Sequence, residues 1–487
     1  MKTPSMIPPS RAEAGSSGAS PSGRTGLAAA REGKRFSVRD IFREHYPEYA
    51  MAHDIPFHKR KVMEALMACG TGELGYTVSE CRECHETQIH ADTCGNRNCP
   101  SCGLVRQLRW RALREAELVY GIPYFHVVFT LPHGLTDLIG QNQKPLLDLL
   151  FQSSARSVSS LCLEKHGMVP GILMVLHTCG GNLLPHYHIH MLVSGGGLTP
   201  DKSSFVRLRE GAFFLPAKLL AARYRGLFMS SMERMHGDGE LSFDGYAQKY
   251  RNSFEWKELV KKCCGTDWNV EIRAYPPCHE PRTAGNVPGT PSNTAGVFAD
   301  YAMEKPASPE RVSASHGTPG SGGPDGDADR GPGIAGVCQY LSQYTNCTAV
   351  TDTRILSCGE QHVTIECKVH HRGGYTTKEP LKLTAGEFIR RFLLNILPER
   401  FSRIRYSGFL AGCVKNSNLA LIRELLEQEQ PPKPTLEMKA AELVIFFYGV
   451  DFSKCPACGG RMDITDRRLR ESEAVGKIIR SCRTRAS

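Results

Sequence analysis

A chain of 487 residues is long enough for two or three domains, and a hydrophobic content of 41% is sufficient for buried cores, which excludes a wholly disordered protein. The sequence has no run of about 18 uncharged apolar residues and its first residues lack the apolar segment of a secretory signal, so we expect an intracellular protein with no membrane association. The net charge of +10 favours a polyanionic partner.

The first ordered elements are predicted to be two short helices. Val38, Ile41 and Phe42 recur at helical spacing in FSVRDIFREHYPEYA, and Val62 and Leu66 do so in HKRKVMEALMACG. These helices lead directly into a cluster of cysteines.

That cluster contains two Cys-x-x-Cys pairs, Cys81 with Cys84 and Cys99 with Cys102. In a chain without a secretory signal, such pairs indicate reduced thiols that bind metal rather than disulfides. We expect the four thiolates to coordinate one structural zinc ion, because four protein ligands leave no open position for a catalytic water. Cys94 is either an alternative ligand or an ordinary buried residue.

A basic helix is predicted after the cysteines, in GLVRQLRWRALREAELVY. Its leucines recur at a spacing suited to packing, whereas Arg106, Arg109, Arg111 and Arg114 are spread around it. We expect these arginines to contact phosphates without sequence preference.

Three strands are predicted next, in YFHVVFTLP, GILMVLHTC and HYHIHMLV, with a long helix between the first two and a hairpin joining the last two. His186, His188 and His190 alternate along the third strand and therefore point to one face. Isolated histidines are more often packing or surface residues, but three in alternation favour a divalent ion that would polarise a phosphate.

A disordered insertion rich in Pro, Gly, Ser and Asp is expected over 279–335, followed by a short helix in VCQYLSQYT. Tyr340 and Tyr344 are four residues apart and therefore share one helical face. Tyrosines at this spacing are more often core residues than nucleophiles. Gln339 and Gln343 lie on the same helix and are, with His186, candidates for a third metal ligand.

The later segments predict a strand in HVTIECKVH, an amphipathic helix in GEFIRRFLLNILPERF, and a zinc knuckle at Cys455 and Cys458 without a matched second pair nearby. No Gly-x-x-x-x-Gly-Lys-Ser/Thr loop is present, so we expect no use of ATP.

These motifs in this order resemble the insertion-sequence-91 family of rolling-circle transposases, from about Val38 to Arg461 apart from the insertion. The resemblance lies in CGNRNCPSC, YFHVVFTLPHGL, VLHTCGGNLLPHYHIHMLVSGGGL, YLSQY and EFIRRFLLNILPERFSRIRYSGFLA. It implies an α+β histidine-hydrophobic-histidine (HUH) nuclease domain, with a central antiparallel sheet, flanking helices and a small N-terminal zinc-binding module.

The resemblance further implies that His188 and His190 bind Mg²⁺ or Mn²⁺ and that Tyr340 and Tyr344 are nucleophiles. One tyrosine would attack single-stranded DNA at an element end and form a 5′ phosphotyrosine, and the other would allow transfer to the target. A cytoplasmic, nucleoid-associated protein is the corresponding expectation. The chain departs from the family pattern at 345–351, where TNCTAVT replaces a His-Arg pair and an Ile-Ser-Asn segment.

Two alternative functions fit part of the pattern. One is a catalytically decayed zinc-dependent DNA-binding protein, and the other is a replication initiator or relaxase that uses the same chemistry. The expected organisation comprises a disordered tail (1–35), a zinc-binding and DNA-binding module (36–118), a nuclease domain in two parts (119–278 and 336–410) separated by the insertion (279–335), and a C-terminal helical region (411–487).

Overall fold

The computed structural model describes residues 36–211, 213–277, 337–339, 341–342, 349–370, 376–428, 438–449, 451, 453–471 and 473–474. The predicted tail, the predicted insertion and the side chains of Tyr340, Gln343 and Tyr344 lie outside these residues. None of the described helices combines the length and the apolar character that crossing a membrane requires.

The described helices and strands alternate irregularly along the chain. The helices are α1 (Val38–Ala52), α2 (Phe57–Ala68), α3 (Leu104–Ala116), α4 (Thr136–Gln141), α5 (Gln143–His166), α6 (Ala217–Gly237), α7 (Ser253–Gly265), α8 (Ala385–Leu394), α9 (Lys415–Leu425) and α10 (Ala440–Tyr448). The strands are β1 (Tyr76–Cys81), β2 (Thr87–Ala91), β3 (Tyr124–Thr130), β4 (Val169–Cys179), β5 (Pro185–Leu198), β6 (Phe205–Arg207), β7 (Val270–Tyr275), β8 (Ile355–Cys358), β9 (His362–His370), β10 (Thr376–Thr384), β11 (Ile404–Gly408) and β12 (Met462–Leu469).

The largest sheet has six antiparallel strands in the order β11-β4-β5-β3-β7, with β6 paired to β5. Antiparallel sheets beside helices confirm the predicted α+β class. The hairpin predicted from the second and third strands is β4 and β5, and their pairing places His177 opposite His188.

One face of this sheet is covered by α5 and α6 and forms the main core. Tyr187, Ile189 and Met191 of β5 point into it, and so does Phe129 of β3, whose ring lies 5.0 Å from that of Tyr224 in α6. Because alternate residues of a strand face opposite sides, the even-numbered residues of β5 lie on the other face.

The N-terminal helices do not form a core of their own. α1 begins with a capping box between Ser37 and Asp40, as expected where side chains satisfy the first free amides. Its Phe42 packs edge-on against Phe392 of α8, with ring centroids 4.8 Å apart. Residues of α1 and α2 therefore share one core with residues 349–396.

The C-terminal segment folds back onto the N-terminal module. β12 pairs antiparallel with β1 in a three-stranded sheet of order β12-β1-β2. Leu443 and Val444 of α10 pack with Leu108 and Ala112 of α3. The region predicted to be helical thus contains a strand that completes the sheet beside the cysteines.

Among the described residues, the cysteines of the N-terminal pairs belong to two clusters rather than one. Cys69, Cys94, Cys99 and Cys102 lie together, with Sγ atoms 3.6 Å apart for Cys69 and Cys99 and 3.7 Å apart for Cys94 and Cys102. Four convergent sulfurs are a donor set typical of structural zinc. Cys94 is therefore one of the four thiols of this cluster, and Cys69 is a member that the spacing of the pairs did not reveal.

The second cluster contains Cys81 and Cys84 from the N-terminal module and Cys455 and Cys458 from the C-terminal segment. The predicted grouping of the first two with Cys99 and Cys102 is wrong. The pairing of β1 with β12 brings the distant C-terminal turn to the Cys81 turn, and no spacing rule within the N-terminal segment can reveal that partner.

Cys69→Ser distinguishes these groupings. We expect this substitution to weaken the binding of one zinc per chain by more than about 100-fold. Loss of a residue that only orients a metal ligand already lowers the affinity about 10- to 100-fold, and Cys69 would be a ligand itself. Metal content after competition with a chelator measures the effect, and Cys413→Ser, which changes an exposed cysteine, is the control. Unchanged zinc retention in Cys69→Ser would restore the grouping predicted from sequence.

Candidate functional site

Three histidines converge on the face of the large sheet opposite the main core. His188 and His190 come from β5 and His177 comes from β4, and one ring nitrogen of each lies within 4.8 Å of the others. Ring centroids are 4.0 Å apart for His177 and His190 and 4.9 Å apart for His177 and His188. Three imidazole nitrogens at such distances can bind a single metal ion and leave positions open for other ligands.

The convergence follows from strand geometry. His188 and His190 are two residues apart and so share a face, and His177 is the direct cross-strand partner of His188. We predicted the strand that contains His177 but not its register with β5. His177 is thus a candidate ligand that periodicity alone did not identify.

The third-ligand candidates named from sequence occupy different positions. The ring of His186 lies 4.8 Å from that of His188 and 5.3 Å from that of His133, and His186 is not part of the three-histidine group. Gln339 lies in a described helical segment, and its amide stays a candidate. The structure favours His177 over His186 as the third imidazole.

Hydrogen bonds orient two of the three rings. Nδ1 of His188 donates to the backbone carbonyl of His186 over 2.9 Å, which leaves Nε2 with the lone pair. Nδ1 of His190 lies 2.8 Å from Nε2 of His126. When His190 is the donor in that bond, its Nε2 is also available to a metal, so His126 is placed to select the tautomer of His190.

The three rings are neutral at neutral pH because they are buried. Burial lowers the pKa of His188 to about 4, and burial together with the neighbouring rings holds the pKa values of His177 and His190 well below their usual range. The pKa of His126 is likewise lowered to about 4 by burial and by the nearby Arg273. Neutral imidazoles are the form that coordinates metal.

Two arginines add positive charge to this site. Arg273 of β7 is exposed, pairs in register with His126, and helps to lower the pKa of His190. Arg403 is buried next to β11, and its charge helps to lower the pKa of His177. A site with this charge favours an anionic ligand such as a phosphodiester.

The helical segment that flanks Tyr340 packs on the histidine face. Residues 337–339 and 341–342 are helical, and Val337, Cys338 and Leu341 are buried in one cluster with Val175 and Leu192. Val175 precedes His177 by two residues and Leu192 follows His190 by two, so both lie on the same face as the histidines. The segment therefore packs on the same face of the sheet that carries the three-histidine group.

The predicted DNA-contacting arginines of α3 divide into two pairs. Arg106 and Arg109 are exposed, and their guanidinium groups bond to backbone carbonyls. Arg111 and Arg114 are each 9% exposed and form ion pairs with Glu115 and Glu117 of the same helix turns.

Phosphate contact by the buried pair stays a prediction, and the contacts of these two side chains within the fold disfavour it. The guanidinium of Arg111 lies 4.5 Å from the ring centroid of Phe447, and that of Arg114 bonds to the hydroxyl of Tyr406. Because these guanidinium groups are largely desolvated and paired with carboxylates, they are less accessible to a phosphate than those of Arg106 and Arg109.

The sequence matches known families along much of its length. Residues 41–131 match the profile described as "Transposase zinc-binding domain", and residues 171–281 and 331–418 match the profile described as "Putative transposase". The three histidines lie within the second match. No solved structure is similar enough to give a significant match.

Two relatives cover most of the chain. One is "Putative transposase y4qJ" of Sinorhizobium fredii, which is 31% identical over 428 residues, 86% of this chain and 92% of the relative. The other is "Transposase for insertion sequence element IS801" of Pseudomonas savastanoi pv. phaseolicola, which is 25% identical over 405 residues, 82% of each chain. With two successive family matches and a relative of this identity and coverage, the chain belongs to the insertion-sequence-91 family of transposases.

Proposed function

We propose that this transposase nicks and joins single-stranded DNA at element ends through a 5′ phosphotyrosine intermediate, as in rolling-circle transposition. His177, His188 and His190 would hold a divalent ion, and Tyr340 and Tyr344 would be the nucleophiles. The observation that supports this most strongly is the group of three neutral imidazoles on the sheet face where the segment flanking Tyr340 packs.

The donor set suits an ion that must also bind the scissile phosphate. Three neutral nitrogens bring no negative charge of their own, and a Mg²⁺ or Mn²⁺ ion held by them would keep its affinity for phosphate oxygens and polarise them. His126 would keep His190 in the tautomer that coordinates, and the carbonyl of His186 would do the same for His188. Arg273 would attract the DNA backbone to this exposed edge of the site.

The proposed cleavage exchanges one phosphate ester bond for another and needs no external energy source. A tyrosine phenol has an ordinary pKa near 10, so positive charge close to the phosphate favours its reactive phenolate form. The phenol gives up its proton, the phenolate oxygen bonds to phosphorus, and the bond from phosphorus to the 3′ oxygen breaks. The departing 3′ oxygen takes up a proton, which leaves a 5′ phosphotyrosine and a free 3′ hydroxyl. Because the phosphodiester energy is retained, joining to a second strand needs no ATP.

The tyrosines are tested by covalent adduct formation. We expect the protein with Mn²⁺ to attach covalently to a labelled single-stranded element end, and the double substitution Tyr340→Phe and Tyr344→Phe to abolish the adduct. Each single substitution would show which residue acts first, by denaturing gel electrophoresis. Tyr246→Phe, which removes the hydroxyl of an exposed tyrosine, is the control.

Two results would contradict this part of the proposal. Adducts that survive the double substitution would mean that the nucleophile lies elsewhere. No adduct from the unmodified protein with any divalent ion would favour a DNA-binding protein without catalysis.

The metal ligands are tested by a matched histidine series. We expect His188→Ala and His177→Ala each to lower the rate of Mn²⁺-dependent cleavage at least 100-fold, whereas His186→Ala retains the carbonyl that orients His188 and costs less than about 5-fold. His126→Ala should cost about 10- to 100-fold, as is typical for a residue that orients a ligand. A larger loss for His186→Ala than for His177→Ala would reverse the assignment of the third ligand.

The arginines of α3 are tested by the salt dependence of DNA binding. We expect Arg106→Ala with Arg109→Ala to reduce the slope of log affinity against log salt by about 1.4, since each phosphate contact to a single strand contributes about 0.7. Arg114→Ala should leave this slope unchanged and instead lower the free energy of unfolding by about 2 kcal/mol, because Glu117 loses a charged hydrogen bond but keeps its ion pair with Lys415. An unchanged slope in the Arg106 and Arg109 variant, together with a reduced slope in Arg114→Ala, would mean that the buried pair contacts DNA.

A further inference from the structure

We propose that Cys81, Cys84, Cys455 and Cys458 bind a second zinc ion that fastens the C-terminal segment, residues 438–474, onto the N-terminal module. We call this site the clasp. Cys455 and Cys458 lie beyond both family matches, the last of which ends at residue 418. Cys81 and Cys84 lie within the match to the zinc-binding domain, so the clasp would join that domain to a segment beyond both matches. It shares no residue with the three-histidine group.

The four thiols are close enough for a single ion. Sγ of Cys81 lies 3.5 Å from Sγ of Cys458, and Sγ of Cys84 lies 3.6 Å from Sγ of Cys455. Each short contact therefore joins one cysteine from the N-terminal turn to one from the C-terminal turn. Zinc bound to four sulfurs at about 2.3 Å accepts ligands at such separations, so the ion would cross-link segments more than 370 residues apart in sequence.

The two turns have the same backbone geometry. The amide of His85 donates to the carbonyl of Cys81 over 3.2 Å, and the amide of Gly459 donates to the carbonyl of Cys455 over 2.9 Å. Both His85 and Gly459 have positive φ angles, 54° and 76°. A left-handed histidine is uncommon and persists where its surroundings fix it, as a metal-binding turn does.

Backbone amides also point at two of the sulfurs. The amide of Glu83 donates to Sγ of Cys81, and that of Gly460 donates to Sγ of Cys458, each over 3.4 Å. Such bonds favour the thiolate form that zinc requires. Gly460 is also constrained sterically, because a Cβ atom there would lie 3.1 Å from Sγ of Cys81 and 2.5 Å from Cγ of Glu83.

Apolar burial around the clasp is too small to hold the segment. The cluster there consists of Cys81, Cys455 and Met462, with Cys84 packed against it. β12 is mostly exposed or half-buried along its length, and only Met462 is buried. Where a small module lacks a hydrophobic core, metal binding supplies much of its folding free energy. The pairing of β12 with β1 thus depends on the ion more than on side-chain packing.

The clasp has a defined consequence for the rest of the segment. α10 lies between the clasp and the preceding part of the chain, and its Leu443 covers the apolar face of α3 that contains Leu108. Release of the clasp would free β12 and loosen α10 on α3, next to Arg106 and Arg109. The large sheet packs in other cores on its two faces and would keep its structure.

Metal content and hydrogen exchange test the clasp. We expect the full-length chain to hold two zinc ions and to show four sulfur ligands per zinc by X-ray absorption. The double substitution Cys455→Ser and Cys458→Ser should retain one zinc, and the amides of β12 should exchange at least 100-fold faster while those of β4 and β5 do not change. Cys264→Ser, at an exposed cysteine of α7, should keep both ions.

If the double variant fails to fold, the metal content of the unmodified protein still tests the clasp. One zinc per chain, or iron in place of the second zinc, overturns the proposal. Gly460→Ala is a milder variant that keeps all four ligands, and we expect it to lower zinc retention at one site under a chelator. If Gly460→Ala and the unmodified chain retain both ions equally, the close contacts of a Cβ at Gly460 do not disturb the clasp, and this part of the proposal is wrong.

Discussion

The antiparallel pairing of β4 with β5 is the constraint on which the site depends. It places His177 opposite His188 and puts both on the face that also carries His190. The other face of β5 contributes Ile189 and Met191 to the main core. A slip of one residue would turn the imidazoles into that core and the apolar side chains away from it, so packing on the core side enforces the register on the histidine side. The three-histidine group is thus held in place by residues on the opposite face of the sheet.

Segments distant in sequence complete this arrangement. α1 and α2 share a core with residues 349–396, the helical segment beside Tyr340 packs on the histidine face, and the C-terminal segment returns to the N-terminal module through β12. The matches to a zinc-binding domain and to a transposase domain are separate in sequence, but in the fold their elements share packing. Zinc sites and apolar cores therefore have complementary roles. Apolar burial holds the large sheet, whereas the clasp lies at the β12-β1-β2 sheet, where apolar burial is small.

Local pattern was sufficient for the class of fold and for the placement of His188 and His190 on one face. Among the described elements it identified the helices α1, α2, α3, α5 and α8 and the strands β3, β4, β5 and β9. It was insufficient wherever a partner is remote. His177 required the hairpin register, and Cys69, Cys455 and Cys458 required contacts between segments that local spacing does not report. The arginines of α3 illustrate a different limit. Charge on a helix predicts solvent exposure, but Arg111 and Arg114 are covered by Phe447 and Tyr406, which belong to segments about 300 residues later. Tertiary packing, not helical spacing, determines which basic residues can meet DNA.

The central claim is that three imidazoles from β4 and β5 form the metal centre at which DNA is cleaved. Anomalous diffraction at the manganese edge, from crystals of the protein with Mn²⁺ and a single-stranded element end, tests it most directly. The account predicts one peak within about 2.3 Å of nitrogens of His177, His188 and His190, with a phosphate oxygen and a tyrosine oxygen beside it. A peak bound by His186 in place of His177, or manganese bound away from this sheet face, would contradict it.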